Sequence, residues 1–325
     1  MNYSDKQRIP SDHPPRLADQ TSLWLMIAGW LLICGTPTSW AVELVYKFRP
    51  QQQLHYVMKN TNRSEMKIPQ QPEPLSSTMQ QTMHYKQIVD EVRSDGSARL
   101  RQIITRITTQ IKPLQPGIPA AHYDSAQPPA VDDPNPVAQA LAKNLQPLIE
   151  AEFKVVMTPR GEIQELELPE VLSKPNSPLQ ALGGGDPINS FKEMIAQGAI
   201  VFPDKTLQLG DSWETEATAK LPFAKLITQR KLTYQGLNPM QLEQFKLDIK
   251  ISSEPMENAG IGFKVTDSQG EGMILFDRQQ GALKRSQMKQ TMDALITVGD
   301  QTIEQRVITE VQLEQVPASE NQASP

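Results

Sequence analysis

The chain has 325 residues and a formal net charge of −5, with 38% hydrophobic, 21% charged and 6% aromatic residues. Its 17 glycines follow no repeat, which excludes a collagen-like fibre. The acidic balance argues against a nucleic-acid binder, because such proteins carry an excess of Lys and Arg on the surface that faces the phosphates.

An apolar run at residues 23–34, LWLMIAGWLLIC, precedes a polar stretch that ends at Ala41. Ser39 and Ala41 are small residues at the two positions that signal peptidase requires, so we predict a signal peptide at residues 1–41, cleaved before Val42. The run is shorter than the roughly 20 residues of a stable bilayer span, so no permanent membrane span is expected after leader removal. The alternative is an uncleaved leader that anchors the protein, because the segment before the run carries no net positive charge.

The leader predicts that the protein is periplasmic or secreted from a bacterial cell. Its removal takes away Cys34, the single cysteine of the chain, and three of the four tryptophans, leaving Trp213. A chain without cysteine forms no disulfide bonds in an oxidising compartment, so we expect a hydrophobic core to hold the fold.

Alternation of apolar and polar residues with period two dominates the chain after the leader and predicts β-strands. We predict roughly ten to twelve strands, with some of the runs merging. The runs lie near residues 44–49, 53–60, 79–93, 97–112, 152–158, 162–168, 212–220, 225–236, 241–253, 261–266, 271–277, 281–298 and 301–316. Short turns, which join antiparallel neighbours, are predicted at residues 95–96, 159–161, 268–270, 279–281 and 298–300.

Apolar residues recur at helical spacing in two places. The first predicted helix covers residues 136–146, with Asp133 as its cap, and the second covers residues 187–197. Seven prolines in residues 113–136 predict a disordered insertion there, and residues 317–325 are predicted to be a disordered tail.

The strand-rich part of the chain, residues 42–316, is predicted to be a single mainly β domain. A sheet with one apolar and one charged face must cover its apolar face. With so many strands, we predict a large curved antiparallel sheet, a half-barrel or open barrel, with the two short helices packed against its concave face.

Two short motifs, MTPRGEI at residues 157–163 and LQLGDSW at residues 207–213, carry a likeness to other proteins. They resemble an uncharacterised family of secreted bacterial β-rich domains of unknown function, over about a third of the chain. In architecture, the predicted outline is similar to the periplasmic lipoprotein-carrier half-barrels, which cradle a lipid tail. The family brings no activity with it.

The residue types that usually carry catalysis are scarce or scattered. His55 and His84 would start a zinc site only if a third ligand, such as His122, joined them. Glu165 and Glu167 share one face of a strand, which fits a glycosidase acid–base pair and also an ordinary solvated edge. No serine lies in a nucleophile elbow. We therefore expect no catalytic residue, no metal site and no cofactor.

Methionine is the compositional feature that points to a function. Unbranched, polarizable Met side chains suit irregular apolar surfaces that accept varied ligands. We predict a ligand-binding hollow on the concave face, lined by strand methionines and by two residues of the second helix. These residues are Met58, Met83, Phe191, Met194, Met273, Met288 and Met292. The alternative is a plain core in which Met serves as filler.

The leading functional hypothesis is an exported, non-catalytic cell-envelope protein that binds a lipid or another hydrophobic ligand, as a carrier or chaperone does. The second hypothesis is a structural or adaptor protein whose core is filled and which binds another envelope protein. The third is a hydrolase with an unrecognised site. Nucleic acid is not an expected partner.

Overall fold

The computed structural model describes residues 41–318 with the exception of residues 70, 113, 115, 116, 131, 170, 171, 173–199, 222 and 257–259. The predicted signal peptide up to residue 40, the second predicted helix and the predicted tail from residue 319 therefore lie outside the described residues.

Twelve strands and one α-helix make up the described elements. The strands are β1 (Gln53–Lys67), β2 (Leu75–Val92), β3 (Ala98–Lys112), β4 (Ala121–Asp124), β5 (Glu152–Met157), β6 (Ile163–Glu167), β7 (Ser212–Lys220), β8 (Ala224–Leu237), β9 (Glu243–Pro255), β10 (Ile261–Asp277), β11 (Ala282–Val298) and β12 (Gln301–Val316). The helix α1 spans Pro136–Leu145, and a 3₁₀ turn follows at Gln146–Leu148.

All the strands belong to one antiparallel sheet that does not close into a barrel. Eleven of them follow the order β6-β5-β3-β2-β1-β12-β11-β10-β9-β8-β7, and the short β4 pairs with β3 beside that path. Arg160 in the turn between β5 and β6 binds the Pro203 carbonyl, and the Trp213 indole of β7 donates to the Val201 carbonyl at 2.8 Å, so both ends of the sheet contact one short segment. In a flat sheet β5 and β7 would lie about 43 Å apart at about 4.8 Å per strand, so the sheet must curl. The prediction of a large curved antiparallel sheet is confirmed.

The two faces of the sheet differ in chemistry because successive side chains of a strand point to opposite sides. The inner face carries the main core, which includes Tyr56, Phe245 and Leu313. The outer face carries cross-strand ion pairs such as Lys289–Glu310 at 3.1 Å. Exposed pairs of this kind add little stability, so the fold depends on the inner face.

Helix α1 begins at Asn135, whose side-chain oxygen accepts the N–H groups of Val137 and Ala138 at 3.0 and 3.3 Å. Asp133, the predicted cap, instead accepts the N–H of Asn135 at 2.8 Å and orders the approach to the helix. The helix packs on the inner face, because its Leu145 shares a buried cluster with Met83 of β2. Within the described ranges, no helix has the length and apolar character that a membrane crossing needs.

Two features of the strand pattern were predicted wrongly. Residues 44–49 do not form a strand, although their side chains alternate between buried and exposed, because their backbone bonds go to turns rather than to a neighbouring strand. Residues 268–270 do not form a turn, since β10 runs through them. Ser268 accepts the N–H of Ile251 at 3.0 Å, and a Cβ on Gly272 would lie 2.4 Å from the Gln287 oxygen. These polar and small residues allow the neighbouring strands to approach β10 closely.

The predicted disordered insertion at residues 113–136 contains strand β4, so the prediction is wrong for that part. Tyr123 is fully buried, and its hydroxyl donates to the side-chain oxygen of Gln146 at 2.9 Å. Asp124 accepts two hydrogen bonds from the Arg106 guanidinium, at 3.1 and 2.7 Å. The sequence pattern does not indicate this four-residue strand, because prolines flank it. The residues that anchor it are distant in the sequence.

Replacement of Gly281 by Ala should destabilise the protein far more than the same change at Gly299. Both glycines lie in hairpin turns with positive φ, at +65° and +58°, so each change costs about 1 kcal/mol in backbone strain. At Gly281 the new Cβ would also lie 2.3 Å from the Lys47 nitrogen, whereas a Cβ at Gly299 would have no atom of the described residues within 4 Å. We expect about 2 kcal/mol of additional loss for Gly281→Ala in denaturant unfolding. Equal losses for the two variants would contradict this packing.

Replacement of Asp124 by Asn should lower the free energy of unfolding at pH 7 by about 2 kcal/mol. The Arg106 guanidinium holds the pKa of Asp124 below its usual range, so the stabilisation is present above the unfolded pKa and is lost as pH falls. The difference between the two proteins should therefore shrink below about pH 4.

The matched control is Asp293→Asn, which breaks a pair with Arg306 whose side chain is 56% exposed, against 24% for Arg106. Because solvent screens the more exposed pair, we expect a loss below about 1 kcal/mol there. A larger loss at Asp293 than at Asp124 would contradict the anchoring role of β4.

Candidate functional site

A hollow of about 80 Å³ lies on the inner face, between β1, β2, β3, β5, β11 and β12. That volume accommodates about six water molecules. Its wall is mostly apolar and aromatic, and includes Phe48, Leu54, Met58, Met83, Ile104, Phe153, Met157, Leu283, Val311 and Leu313. The amides of Gln52, Gln87 and Gln102 form its polar part, with the Gln102 amide donating to Gln87 at 3.4 Å.

One end of the hollow is covered by residues 42–49, here named the strap. The N–H of Tyr46 donates to the Pro159 carbonyl at 2.7 Å, and the N–H of Lys47 donates to the Gly281 carbonyl at 3.0 Å. Val42 and Leu207 exchange two backbone hydrogen bonds, at 2.9 and 2.8 Å. The strap is therefore tied to three separate loops rather than to one strand.

The two sequence motifs that carry the family resemblance meet next to the strap. Arg160 of the first motif binds the Pro203 carbonyl and the Asp204 carboxylate. The indole N–H of Trp213, from the second motif, donates to the Val201 carbonyl at 2.8 Å. Both motifs thus hold the segment at residues 200–207 in place, which gives them a structural role.

Aromatic rings fill the space under the strap. The Tyr46 ring lies edge-on to Phe276 with centroids 5.2 Å apart, and Phe202 lies 4.9 Å from Phe276. Phe245 joins this cluster at 5.9 Å from Phe202. Edge-to-face pairs at these distances contribute beyond their buried area. The end of the hollow nearest the strap is therefore a solid aromatic floor.

Three tyrosines of the hollow have perturbed hydroxyl groups. Burial raises the pKa of Tyr46 to about 12, although the Ile200 N–H that donates to its oxygen partly opposes this shift. Burial also raises the pKa of Tyr56 and Tyr85, whose rings stack 5.4 Å apart. These neutral tyrosines present apolar rings to the hollow, while the hydroxyl groups of Tyr46 and Tyr56 bind the protein backbone.

Two of the predicted site residues, Met58 and Met83, line the hollow. Met288 is buried in the main core next to it, and Met292 packs in a small cluster with Phe263. Met273 points away from the inner face, because its neighbours Gly272 and Ile274 pair with the inner-face residues of β11. Phe191 and Met194 lie outside the described residues.

The tyrosines and glutamines of the hollow were missed by the sequence analysis. Tyr56 stands between Leu54 and Met58 in the alternation of β1, and Tyr85 stands beside Met83 in β2. The period-two alternation of β1 and β2 therefore indicated that these tyrosines share a face with the methionines. The prediction selected methionines by residue type and did not use that pattern.

The candidate catalytic groups do not converge within the described residues. Glu165 pairs with Arg93 at 3.4 Å and Glu167 with Lys154 at 2.9 Å, both on exposed surface. In the register of β1 and β2, His55 lies opposite Lys86 rather than opposite His84. The described part of the chain contains no group of three or more His, Cys, Asp or Glu that could hold a metal ion.

One fully buried carboxylate, Glu243, was not singled out in the sequence. The Tyr234 hydroxyl donates to it at 2.5 Å, and the Arg278 guanidinium lies 3.4 Å from its other oxygen. The buried carboxylate thus has both a hydrogen-bond donor and a cation. Glu243 is not part of the wall of the hollow, so its contacts serve the β8–β9 hairpin.

No protein-family model matches the chain, and no curated protein matches it. Among solved structures, it is similar to a lipovitellin described for its lipid–protein interactions, with 10% identity and a TM-score of 0.44 over 86% of this chain. The match covers 26% of lipovitellin, so this chain spans about a quarter of that length.

Two Pseudomonas aeruginosa proteins are also similar. OpdQ has 7% identity and a TM-score of 0.21 over 82% of this chain and 98% of its own. OccK11 (OpdR) has 8% identity and a TM-score of 0.19 over 85% of this chain and 100% of its own. At these TM-scores, the three likenesses are too low to indicate a function for this chain.

The folded protein should resist tyrosine ionisation in alkaline titration. Burial raises the pKa of all five tyrosines in the described ranges, namely Tyr46, Tyr56, Tyr85, Tyr123 and Tyr234. The fold favours their neutral forms, so the stabilisation is present below about pH 10 and is lost as pH rises toward the folded pKa values.

Tyrosinate absorbance measures this directly. In denaturant, the six tyrosines of the chain should ionise together near pH 10, whereas the folded protein should ionise most of them only as it unfolds above that pH. The variant Tyr46→Phe should remove part of the alkaline loss of stability. Ionisation of most tyrosines near pH 10 in a protein that stays folded would contradict the sealed floor.

Proposed function

We propose that this protein binds a hydrophobic ligand in the inner-face hollow and has no catalytic centre of its own. The observation that carries the proposal is the wall, which six strands and the strap build mostly from apolar and aromatic side chains. Burial of a ligand's apolar surface against this wall would remove apolar area from water, which is favourable. This supports a ligand in this place.

Export to the periplasm or out of the cell belongs to the same proposal. The leader at residues 1–41 and the likeness to secreted β-rich domains support it. The described fold makes a backbone bridge at Val42, directly after the predicted cleavage point, so cleavage would leave this bridge in place. An uncleaved leader, retained as an anchor, would place the same hollow at a membrane surface.

The proposal that the protein is not an enzyme rests on where its ionisable groups lie. Glu165 and Glu167 each pair with a basic residue on exposed surface, and Glu243 is held by Tyr234 and Arg278. In the described ranges, the wall of the hollow contains no Asp, Glu or His. General acid–base catalysis in that hollow would therefore lack His and carboxylate groups, which most often perform it.

A second candidate function, an adaptor for another envelope protein, is supported by an exposed apolar corner of the sheet. Leu209, Leu237 and Met240 are 71%, 50% and 66% exposed. They lie around the β8–β9 hairpin, since Leu209 approaches Gly236 in β8. Apolar residues gathered at one corner suit protein contact better than isolated ones do.

The ligand proposal is tested by filling the hollow in the full-length protein. Met58→Trp places a larger side chain in the wall, and Met273→Trp makes the same change on the opposite face. After gentle purification from an envelope fraction, native mass spectrometry should detect a bound apolar molecule on the parent protein and on Met273→Trp. The bound fraction should fall at least about tenfold in Met58→Trp, because the added ring removes its space.

A clean unliganded mass for the parent protein, also after addition of 1-decanol, would contradict the ligand proposal. That outcome would favour the adaptor, and the exposed corner would then be the surface to mutate. Equal loss of ligand in the two variants would show that binding does not occur in the hollow.

A further inference from the structure

A belt of uncharged polar side chains crosses the inner face directly beyond the hollow. In β1, Asn60 stands two places after Met58, and in β2, Gln81 stands two places before Met83. Because every second residue of a strand shares a face, both amides lie next to the apolar wall on its own side of the sheet. The belt continues across neighbouring strands and consists of Asn60, Asn62, Gln81, Thr109, Gln290 and Thr309.

Two hydrogen bonds link members of the belt across strands. The Gln81 amide donates to the Thr109 hydroxyl and the Asn62 amide donates to the Thr309 hydroxyl, both at 3.3 Å. Two buried atoms of the described belt, Asn60 Oδ1 and Gln290 Nε2, have no hydrogen-bond partner. One is an acceptor and the other a donor, and a buried polar group without a partner is destabilising. The belt therefore has unused capacity for an uncharged polar group.

Among the described residues, this end of the hollow carries no charged side chain. No member of the belt is ionisable, and within the described wall the one charged side chain belongs to Lys47, which is exposed and lies on the strap. An ionised headgroup beside the belt would lose hydration without gaining a counter-ion, which is unfavourable. Hydroxyl, ester and amide groups would lose much less and could bond to the side-chain amides.

The size of the hollow limits the apolar part of the ligand. Along β1 the wall runs from Leu54 to Met58, four residue steps or about 13 Å at about 3.3 Å each. The enclosed volume of about 80 Å³ is smaller than the roughly 150 Å³ of an apolar cavity that holds one benzene, so it takes part of one chain and not two chains side by side. The length of the wall matches one chain of medium length, the remainder of which lies outside the enclosed volume.

The geometry points to a single-chain amphiphile with an uncharged headgroup as the ligand of the hollow. Its chain lies against Met58 and Met83, and its hydroxyl, ester or amide groups bind the belt at Asn60 and Gln81. This inference rests on the proposed function, since it assigns a ligand class to the same hollow. It excludes a diacyl phospholipid and an ionised fatty acid as the preferred ligand.

Calorimetric titration of the full-length protein tests the headgroup with two probes of equal chain length, 1-decanoylglycerol and decanoate at pH 8. We expect the glycerol ester to bind at least about tenfold more tightly, because only decanoate must bury a charge. Gln81→Leu and Asn60→Leu should each weaken binding of the ester about tenfold by removing a hydrogen-bonding group. Two belt variants are used so that a folding defect in one, seen by circular dichroism, leaves the other.

The matched control is Gln80→Leu, because Gln80 is exposed on the opposite face of β2 and should not affect either probe. Tighter binding of decanoate that is lost in Lys47→Ala would overturn the belt and place the headgroup at the strap. Full-strength ester binding in both belt variants would also overturn it.

These outcomes differ from failure of the proposed function. If the hollow binds no apolar ligand, neither probe binds and Met58→Trp changes nothing. If only the headgroup assignment fails, both probes still lose binding in Met58→Trp while the belt variants behave as the parent does.

Discussion

In the part of the chain that the structure describes, no second sheet covers the apolar face of the open twelve-stranded sheet. The chain covers this face with its own segments between strands. Burial of apolar area is the main favourable contribution to folding, so the protein is stable only if that face is kept from water. Tyr46 is central to this cover, since its ring packs on Phe276 and its hydroxyl accepts the N–H of Ile200. The strap, the segment at residues 200–207 and α1 together replace the missing second layer.

The hollow lies where this cover is incomplete. Near the strap, rings of Phe202, Phe245 and Phe276 pack tightly, whereas between Leu54 and Met58 the wall meets open space. The polar belt begins just beyond Met58, so the inner face changes from apolar to hydrogen-bonding within two residues of one strand. Such a boundary suits an amphiphile, because its chain and its headgroup prefer the two sides of that boundary.

Much of the sheet could be predicted, because the alternation of apolar and polar residues in a strand is visible in the sequence of that strand alone. The runs at residues 281–298 and 301–316 match β11 and β12 within one residue, and the turn between them was predicted from its glycine. The merged strand β10 could not be predicted, since Ser268 and Gly272 look like turn residues until β9 and β11 lie beside them. Met58 and Met83 line the hollow, whereas Met273 lies on the other face because of its register.

The sequence by itself determined that this chain forms many antiparallel strands with one apolar face, because side-chain alternation has a period of two residues and needs no distant partner. Only the tertiary structure decided which segments cover that face and where a hollow remains. The hydroxyl of Tyr46 accepts a hydrogen bond from a backbone amide 154 residues away, and Asp124 of β4 pairs with Arg106 of β3. Contacts of that kind depend on how the sheet curls, which is set by the packing of all its strands together.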